Sequence, residues 1–214
     1  MYCSQCQGIE EVFSQEYVRR ELKHYRSKGP GKTTRLLTEA IEKEGVDGLS
    51  LLDIGGGVGA IQHELIAAGV REVTSVDASS AYLEASREEA EKRGQAERVS
   101  YHQGNFVDLA DDFAPADIVT LDRVICCYPN MEKLVELSAK RALKIYGLVY
   151  PRDTWWVRAG LAIGNLYLRV RGSAFRTFSH PTKDVEAIVH SSGFKEKSYS
   201  QSLVWQVVVY TRRS

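Results

Sequence analysis

The run Asp53-Ile54-Gly55-Gly56-Gly57-Val58-Gly59 sets four glycines directly behind an acid. It falls where a short apolar strand, residues 49–54, gives way to a helix. Glycine there lets the backbone turn sharply and approach a ligand at the carboxyl end of a parallel sheet. A second acid, Asp77, ends the next strand and is followed by Ala78. A carboxylate in that place accepts hydrogen bonds from two ribose hydroxyls. Asp53, Gly55, Gly56, Gly57, Gly59, Asp77 and Ala78 therefore read as the cradle of a nucleoside-type cofactor.

Charge discriminates between cofactors. Gly55-x-Gly57-x-x-Ala60 also satisfies the loose dinucleotide fingerprint, which keeps an NAD-dependent oxidoreductase as the rival reading. A pyrophosphate over this loop would lie close to the carboxylate of Asp53. S-adenosylmethionine (SAM) carries no phosphate, and its sulfonium and ammonium are attracted by an acid. SAM is the expected cofactor.

Other reactive residues lead nowhere as clear. Gly29-Pro30-Gly31-Lys32-Thr33-Thr34 ends like a phosphate-binding loop, but the motif's first glycine would stand at Arg26, and residues 19–25 read as helix where a strand is required. Cys3-x-x-Cys6 has metal-ligand spacing without a second Cys/His pair, so no metal is expected and a frayed terminus is preferred. Cys126-Cys127 read as small hydrophobes at the sheet edge, with ligand contact over the fourth strand as the alternative. His180 lies in the mixed loop Arg176-Thr177-Phe178-Ser179-His180-Pro181, near the sheet's carboxyl edge.

These groups need elements to hold them. The chain has 214 residues, 43% hydrophobic and 26% charged, with 28 basic and 28 acidic side chains and a formal net charge of +0. That is globular composition with no global field to draw nucleic acid. The N-terminus lacks a basic segment followed by an apolar one, and no apolar run nears the roughly 20 residues of a bilayer span, so a cytoplasmic location is expected. Residues 1–48 predict two helices divided by Ser27–Gly31, a helical extension or lid. From 49 onward, strands at 49–54, 72–76, 99–102, 118–121 and 148–150 alternate with helices near 60–68, 79–93 and 131–143. A helix at 183–192 and strands at 194–200 and 203–210 close the chain. The expected fold is α/β: a doubly wound, mostly parallel seven-stranded sheet ending in an antiparallel hairpin. The domain spans 49–214, with a cover insertion at about 152–180. Within it, 155–171 is apolar with peripheral arginines. It predicts a lid over an apolar substrate, a weak membrane-surface contact, or a helix packed on the core.

In this order of features the chain resembles the class I SAM-dependent methyltransferases over most of residues 49–210. Asp53-x-Gly55-x-Gly57-x-Gly59 is similar to the family's glycine motif, and Val76-Asp77 to its ribose-binding acid. Gly104-Asn105-Phe106 is similar to the segment that contacts adenine, with Asn105 where the family often has Asp. Asp117–Asp122 is similar to the fourth strand, whose end faces cofactor and substrate. Asp122 itself could also cap the next segment or pair with Arg123. The resemblance implies methyl transfer by in-line displacement to a small, apolar or aromatic molecule, with O-methylation favoured and S-adenosylhomocysteine (SAH) as product. Asp122, Tyr128 and His180 are the candidate proton-handling groups, and Tyr128, Trp155, Trp156 and His180 the candidate substrate contacts. A looser resemblance, through Ile125–Pro129 and Phe178-x-His180-Pro181, is to the magnesium-protoporphyrin methyltransferases that esterify a propionate. Asp122-Arg123-Val124-Ile125 stands where nucleic-acid methyltransferases of this class carry an Asn/Asp-Pro-Pro-Tyr type motif, so a nucleic-acid partner is not expected. A methyltransferase-like SAM-binding protein without turnover is the non-enzymatic alternative. The sequence carries no signal for oligomeric state.

Overall fold

A computed structural model describes residues 4–213. Met1, Tyr2, Cys3 and Ser214 lie outside the described residues, so the Cys3/Cys6 pairing does too. Seven strands form one sheet: β1 (Ser50–Ile54), β2 (Glu72–Asp77), β3 (Val99–Gln103), β4 (Ala116–Asp122), β5 (Ala142–Pro151), β6 (Phe194–Gln201) and β7 (Trp205–Arg212). Their order is β3-β2-β1-β4-β5-β7-β6. The first five are parallel, and β7 runs antiparallel between β5 and β6. The order reverses between β1 and β4. At that switch point the loops after the strands diverge and leave a crevice at their carboxyl ends.

Both faces of the sheet are covered, so the inner strands are apolar on both sides. One face carries Leu52, Ile54, Val119, Leu121, Val208 and Tyr210 against α7 (Met131–Arg141) and α9 (Thr182–Ser191). The other carries Leu51, Ile118, Val207 and Val209 against α3 (Lys32–Glu42) and α4 (Ala60–Ala67). Adjacent residues in one strand serve opposite cores because a strand alternates its side chains. Helix α5 (Ser80–Lys92) lies at the edge of this layer and packs on the N-terminal region through Tyr82 and Ala85.

The N-terminal extension differs from the expected pair of helices. It contains α1 (Ser4–Val12) and α2 (Gln15–Lys28) before α3. The periodic stretch breaks at Ser14, which adopts extended backbone and caps α2 by accepting from Val18 N–H through its carbonyl. The break lets Phe13 pack against Tyr17, Tyr82 and Phe175. Helix α7 also ends two residues short of its expected Leu143. Ala142 is taken into β5, where it pairs with Ala116, so strand pairing overrides local helix preference. A short helix not expected from the sequence, α6 (Phe106–Leu109), follows β3. Helix α8 (Trp155–Val170) matches the expected apolar segment but buries only Val157.

Candidate active site

Backbone geometry at the end of β1 builds the cofactor end of the site. Gly57 has φ of 57°, left-handed backbone that favours glycine, and its N–H donates to Asp77 Oδ2 at 3.1 Å. Ser79 N–H donates to Asp77 Oδ1 at 2.8 Å. Each oxygen thus keeps lone-pair capacity for a further donor. Burial pushes the Asp77 carboxyl up to about 6, against the pull of the N–H groups of Ser79, Gly57 and Ala78.

Asp53 plays a different part from the one its sequence position suggests. Its carboxylate lies behind the glycine loop and not on the cavity wall. A Cβ on Gly56 would come within 2.8 Å of Asp53 Oδ2 and 3.0 Å of Ser75 Oγ, so only glycine fits over it. Oδ1 accepts from Thr120 Oγ1 at 2.7 Å, while Oδ2 is buried without a partner. Burial, with the charges of Asp122 and Asp77 adding to it, pushes this carboxyl up to about 7. Asp53 therefore shapes the loop and lies behind the cavity without forming part of its wall.

From this loop a cavity of about 340 Å³ extends past Ala78, Asn105 and Phe106 toward the turn after β4. Asn105 caps α6 by accepting from Val107 N–H at 3.2 Å, and its amide donates to the Tyr128 hydroxyl at 3.2 Å. Asp122 Oδ2 accepts from the Thr34 hydroxyl at 2.6 Å and Oδ1 from Arg123 Nε at 3.1 Å. Of the readings left open for Asp122, the structure takes the pairing with Arg123. Arg123 has φ of 61°, the one positive φ outside glycine among the described residues. Its N–H is tied to the Val149 carbonyl and its own carbonyl accepts from the Cys126 thiol. That strained conformation aims a guanidinium into the cavity beside Asp122 and Glu21, both of which raise its pKa.

The far wall comes from the N-terminal helices and the segment after α8. Ile9, Phe13, Tyr17 and Phe175 line it, and Glu21 accepts from the Tyr82 hydroxyl at 2.6 Å. Gln5 locks these parts together. Its Nε2 donates to the carbonyls of Cys127 and Arg176, each at 2.8 Å, and its Oε1 accepts from Arg176 N–H at 3.3 Å. Gly8 lies so close to this segment that a Cβ there would stand 2.3 Å from Phe175 N.

Of the residues expected at the site, the structure brings Gly55, Gly56, Gly57, Asp77, Ala78, Asn105, Phe106, Asp122 and Tyr128 to one cavity. Gly59 instead starts α4 with φ of 80°. The cavity wall does not include Trp155, Trp156 or His180. Trp155 is 77% exposed on α8, and His180 bonds the Tyr128 carbonyl at 3.0 Å from behind, with burial lowering its pKa. Gln5 and Glu21 are not among the expected site residues, while Thr34 entered only through the rejected phosphate-loop motif and Arg123 only as a possible partner of Asp122. For Arg123 the signal was its place directly after the fourth strand's acid; Gln5 offered none. Among the described residues no three His, Cys, Asp or Glu side chains converge as metal ligands.

A methyltransferase domain model matches residues 46–172, and the chain belongs to that family. It is an enzyme of the SAM-dependent methyltransferase class. The fold is similar to that of magnesium protoporphyrin IX methyltransferase from Synechocystis PCC 6803 with bound SAH, at a TM-score of 0.73 and 17% identity over 96% of this chain and 98% of that one. The same protein with bound SAM gives a TM-score of 0.72 at 15% identity, over 99% of each chain. An O-methyltransferase family protein from Burkholderia thailandensis gives 0.72 at 15% identity, over 97% of this chain and 62% of that one. At these identities the likeness is one of fold. No curated protein sequence matches the chain. No described helix is long and apolar enough to cross a membrane.

Proposed function

We propose that the chain transfers the methyl group of SAM to an oxygen of a small apolar or aromatic acceptor. The observation that supports this most is the continuity of one cavity, from the Gly55–Gly57 loop and Asp77 to a wall of Ile9, Phe13, Tyr17, Val124 and Phe175. When bound, SAM supplies an electrophilic methyl group on a cationic sulfur. The glycine cradle fits it because its backbone is bare at Gly56 and its charges are acidic. In this reading Asp77 accepts from the ribose hydroxyls, and the negative field of Asp53 and Asp122 favours the cation.

On the acceptor side, the aromatic wall excludes water and holds a flat apolar body. Arg123 is the one cation lining the cavity among the described residues, and it holds an ionised oxygen. A carboxylate acceptor then needs no base, whereas for a phenol Asp122 or Glu21 takes the proton. Of the expected lid at 1–48 and cover at 152–180, the parts that close over the cavity are α1, α2 and residues 173–177, whereas α3 packs on the sheet through Leu37 and Ile41 and α8 faces outward. The closing parts meet at Gln5, with α1 and residues 173–177 nearest the reacting atoms.

Two measurements test the reading. Calorimetry with SAH and with NAD should give binding for SAH alone; NAD binding instead would return the oxidoreductase. A panel of carboxylates, phenols and amines, followed by SAH release, should show turnover with oxygen acceptors. Turnover confined to amines, or SAH binding with no turnover on any acceptor, would overturn it.

A further inference from the structure

Helix α8 turns its large apolar side chains outward. Trp155, Trp156, Ile163, Leu166, Tyr167 and Val170 are each between 41% and 79% exposed. At about 100° per residue all six fall within an arc of about 120°. The opposite side holds Val157, the helix's only buried residue, and Asn165, whose amide pairs with the backbone of Thr177 at 2.7 and 2.8 Å. The inner side is therefore fixed to the protein while the apolar stripe faces away, the reverse of a core helix. The turn between β6 and β7 extends the stripe. Leu203 is 73% exposed there, and Arg152 N–H bonds the Val204 carbonyl at 2.8 Å, joining the turn to the start of α8.

Charge frames this stripe. Arg158 and Arg169 stand along one edge and Arg171 along the other. From Thr154 to Lys183 the chain has five cations and no Asp or Glu, in a protein whose net charge is +0. Arg158 is paired with Asp153, but Arg169 and Arg171 have no carboxylate partner among the described residues. An apolar arc bordered by arginines is the pattern of a helix lying in a lipid interface, with rings and aliphatic chains at the acyl boundary and guanidiniums among the headgroups. Sixteen residues in α8 are too few to span a bilayer. A parallel pairing of two copies through this face would set Arg169 and Arg171 of one against those of the other, which opposes that dimer, and an antiparallel pairing would leave the apolar arc without the anionic groups its bordering arginines need.

We infer that α8 and the Leu203–Val204 turn form a membrane-surface contact selective for bilayers that carry anionic lipid. The inference goes beyond the proposed reaction, and its test reads binding without turnover.

The full chain is mixed with vesicles of phosphatidylcholine, alone or with phosphatidylglycerol, and bound protein is measured by co-sedimentation and tryptophan emission. Binding is expected on the phosphatidylglycerol vesicles with a blue shift, and it should weaken as salt rises from about 0.05 M to about 0.5 M. The double variant Ile163→Asp/Leu166→Asp should bind these vesicles at least about tenfold more weakly. It should keep the parent's thermal stabilisation by SAH, which shows that it is folded. Arg169→Gln/Arg171→Gln should lose most of the salt-sensitive part. Equal binding to both vesicle types, no binding by the parent, or unchanged binding by the aspartate variant would overturn the inference. So would a dimer in solution that the aspartate variant dissolves, since that assigns the face to a second copy.

Discussion

In the proposed reading, Asp77 couples protonation to cofactor binding. Its two oxygens are held by Gly57 and Ser79 N–H groups, and its carboxyl is pushed up to about 6. A ribose needs the ionised form as acceptor, so SAH affinity should fall about tenfold per pH unit below about 6. Calorimetry across about pH 5 to 8 checks this. Asp77→Ala should weaken SAH binding by about 1.5–3 kcal/mol and flatten the acid limb. Asp53 allows a sharper distinction. Asp53→Asn keeps the shape and the Thr120 contact but removes the negative charge behind Gly56. At about pH 8, where Asp53 is ionised, SAM, a cation, should lose about fivefold more affinity than SAH, roughly 1 kcal/mol. Equal losses for the two ligands would reduce Asp53 to a structural role. Asp77 was legible in the sequence because a strand end fixes both its place and its neighbours. The burial of Asp53 was not, since it depends on Ser75 and Thr120 arriving from other strands.

Helix α1 is tied to the rest of the protein by the side chain of Gln5. Gln5 is 7% exposed and makes all three of its hydrogen bonds to backbone remote in sequence. Gln5→Ala would leave those groups with fewer partners, at about 1–3 kcal/mol. Hydrogen exchange through α1 should accelerate by about tenfold or more, with exchange in β1 and β4 unchanged. Exchange in α1 that stayed at the parent's rate would show that packing of Phe13 and Gly8 suffices. The elements themselves were mostly readable, because strand and helix periods differ and glycines punctuate them. Where they were misread, tertiary contacts intervened: Phe13 turning into an aromatic cluster divides α1 from α2, and pairing with β4 starts β5 at Ala142. Trp155 and Trp156 had the right composition for a substrate wall. Only the direction in which α8 faces, set by the docking of Asn165 on Thr177, puts them outside the cavity.

For the whole molecule the same two carboxyls set a pH trend in stability opposite in sign to cofactor binding. Asp77 at about 6 and Asp53 at about 7 both lie above their ordinary value of 3.8. Between those values the native protein keeps protons that the unfolded chain has released. Their contribution is therefore complete at low pH and is lost as pH rises through about 6 and then about 7. Thermal unfolding of the free protein should show this decline from pH 5 to 8 in the parent, and Asp53→Asn should remove its upper part. The architecture was legible at this scale because alternation of strands and helices leaves few topologies. Its order has a consequence for how the chain is made. Strand β7 is synthesised after the other six, yet it is the inner strand that joins β6 to the rest of the sheet. Until it leaves the ribosome, β6 has no neighbour and the β5 edge stands open. The nascent chain is thus most exposed to wrong pairing until β7 emerges, and a stop codon near residue 204 would leave it permanently in that state.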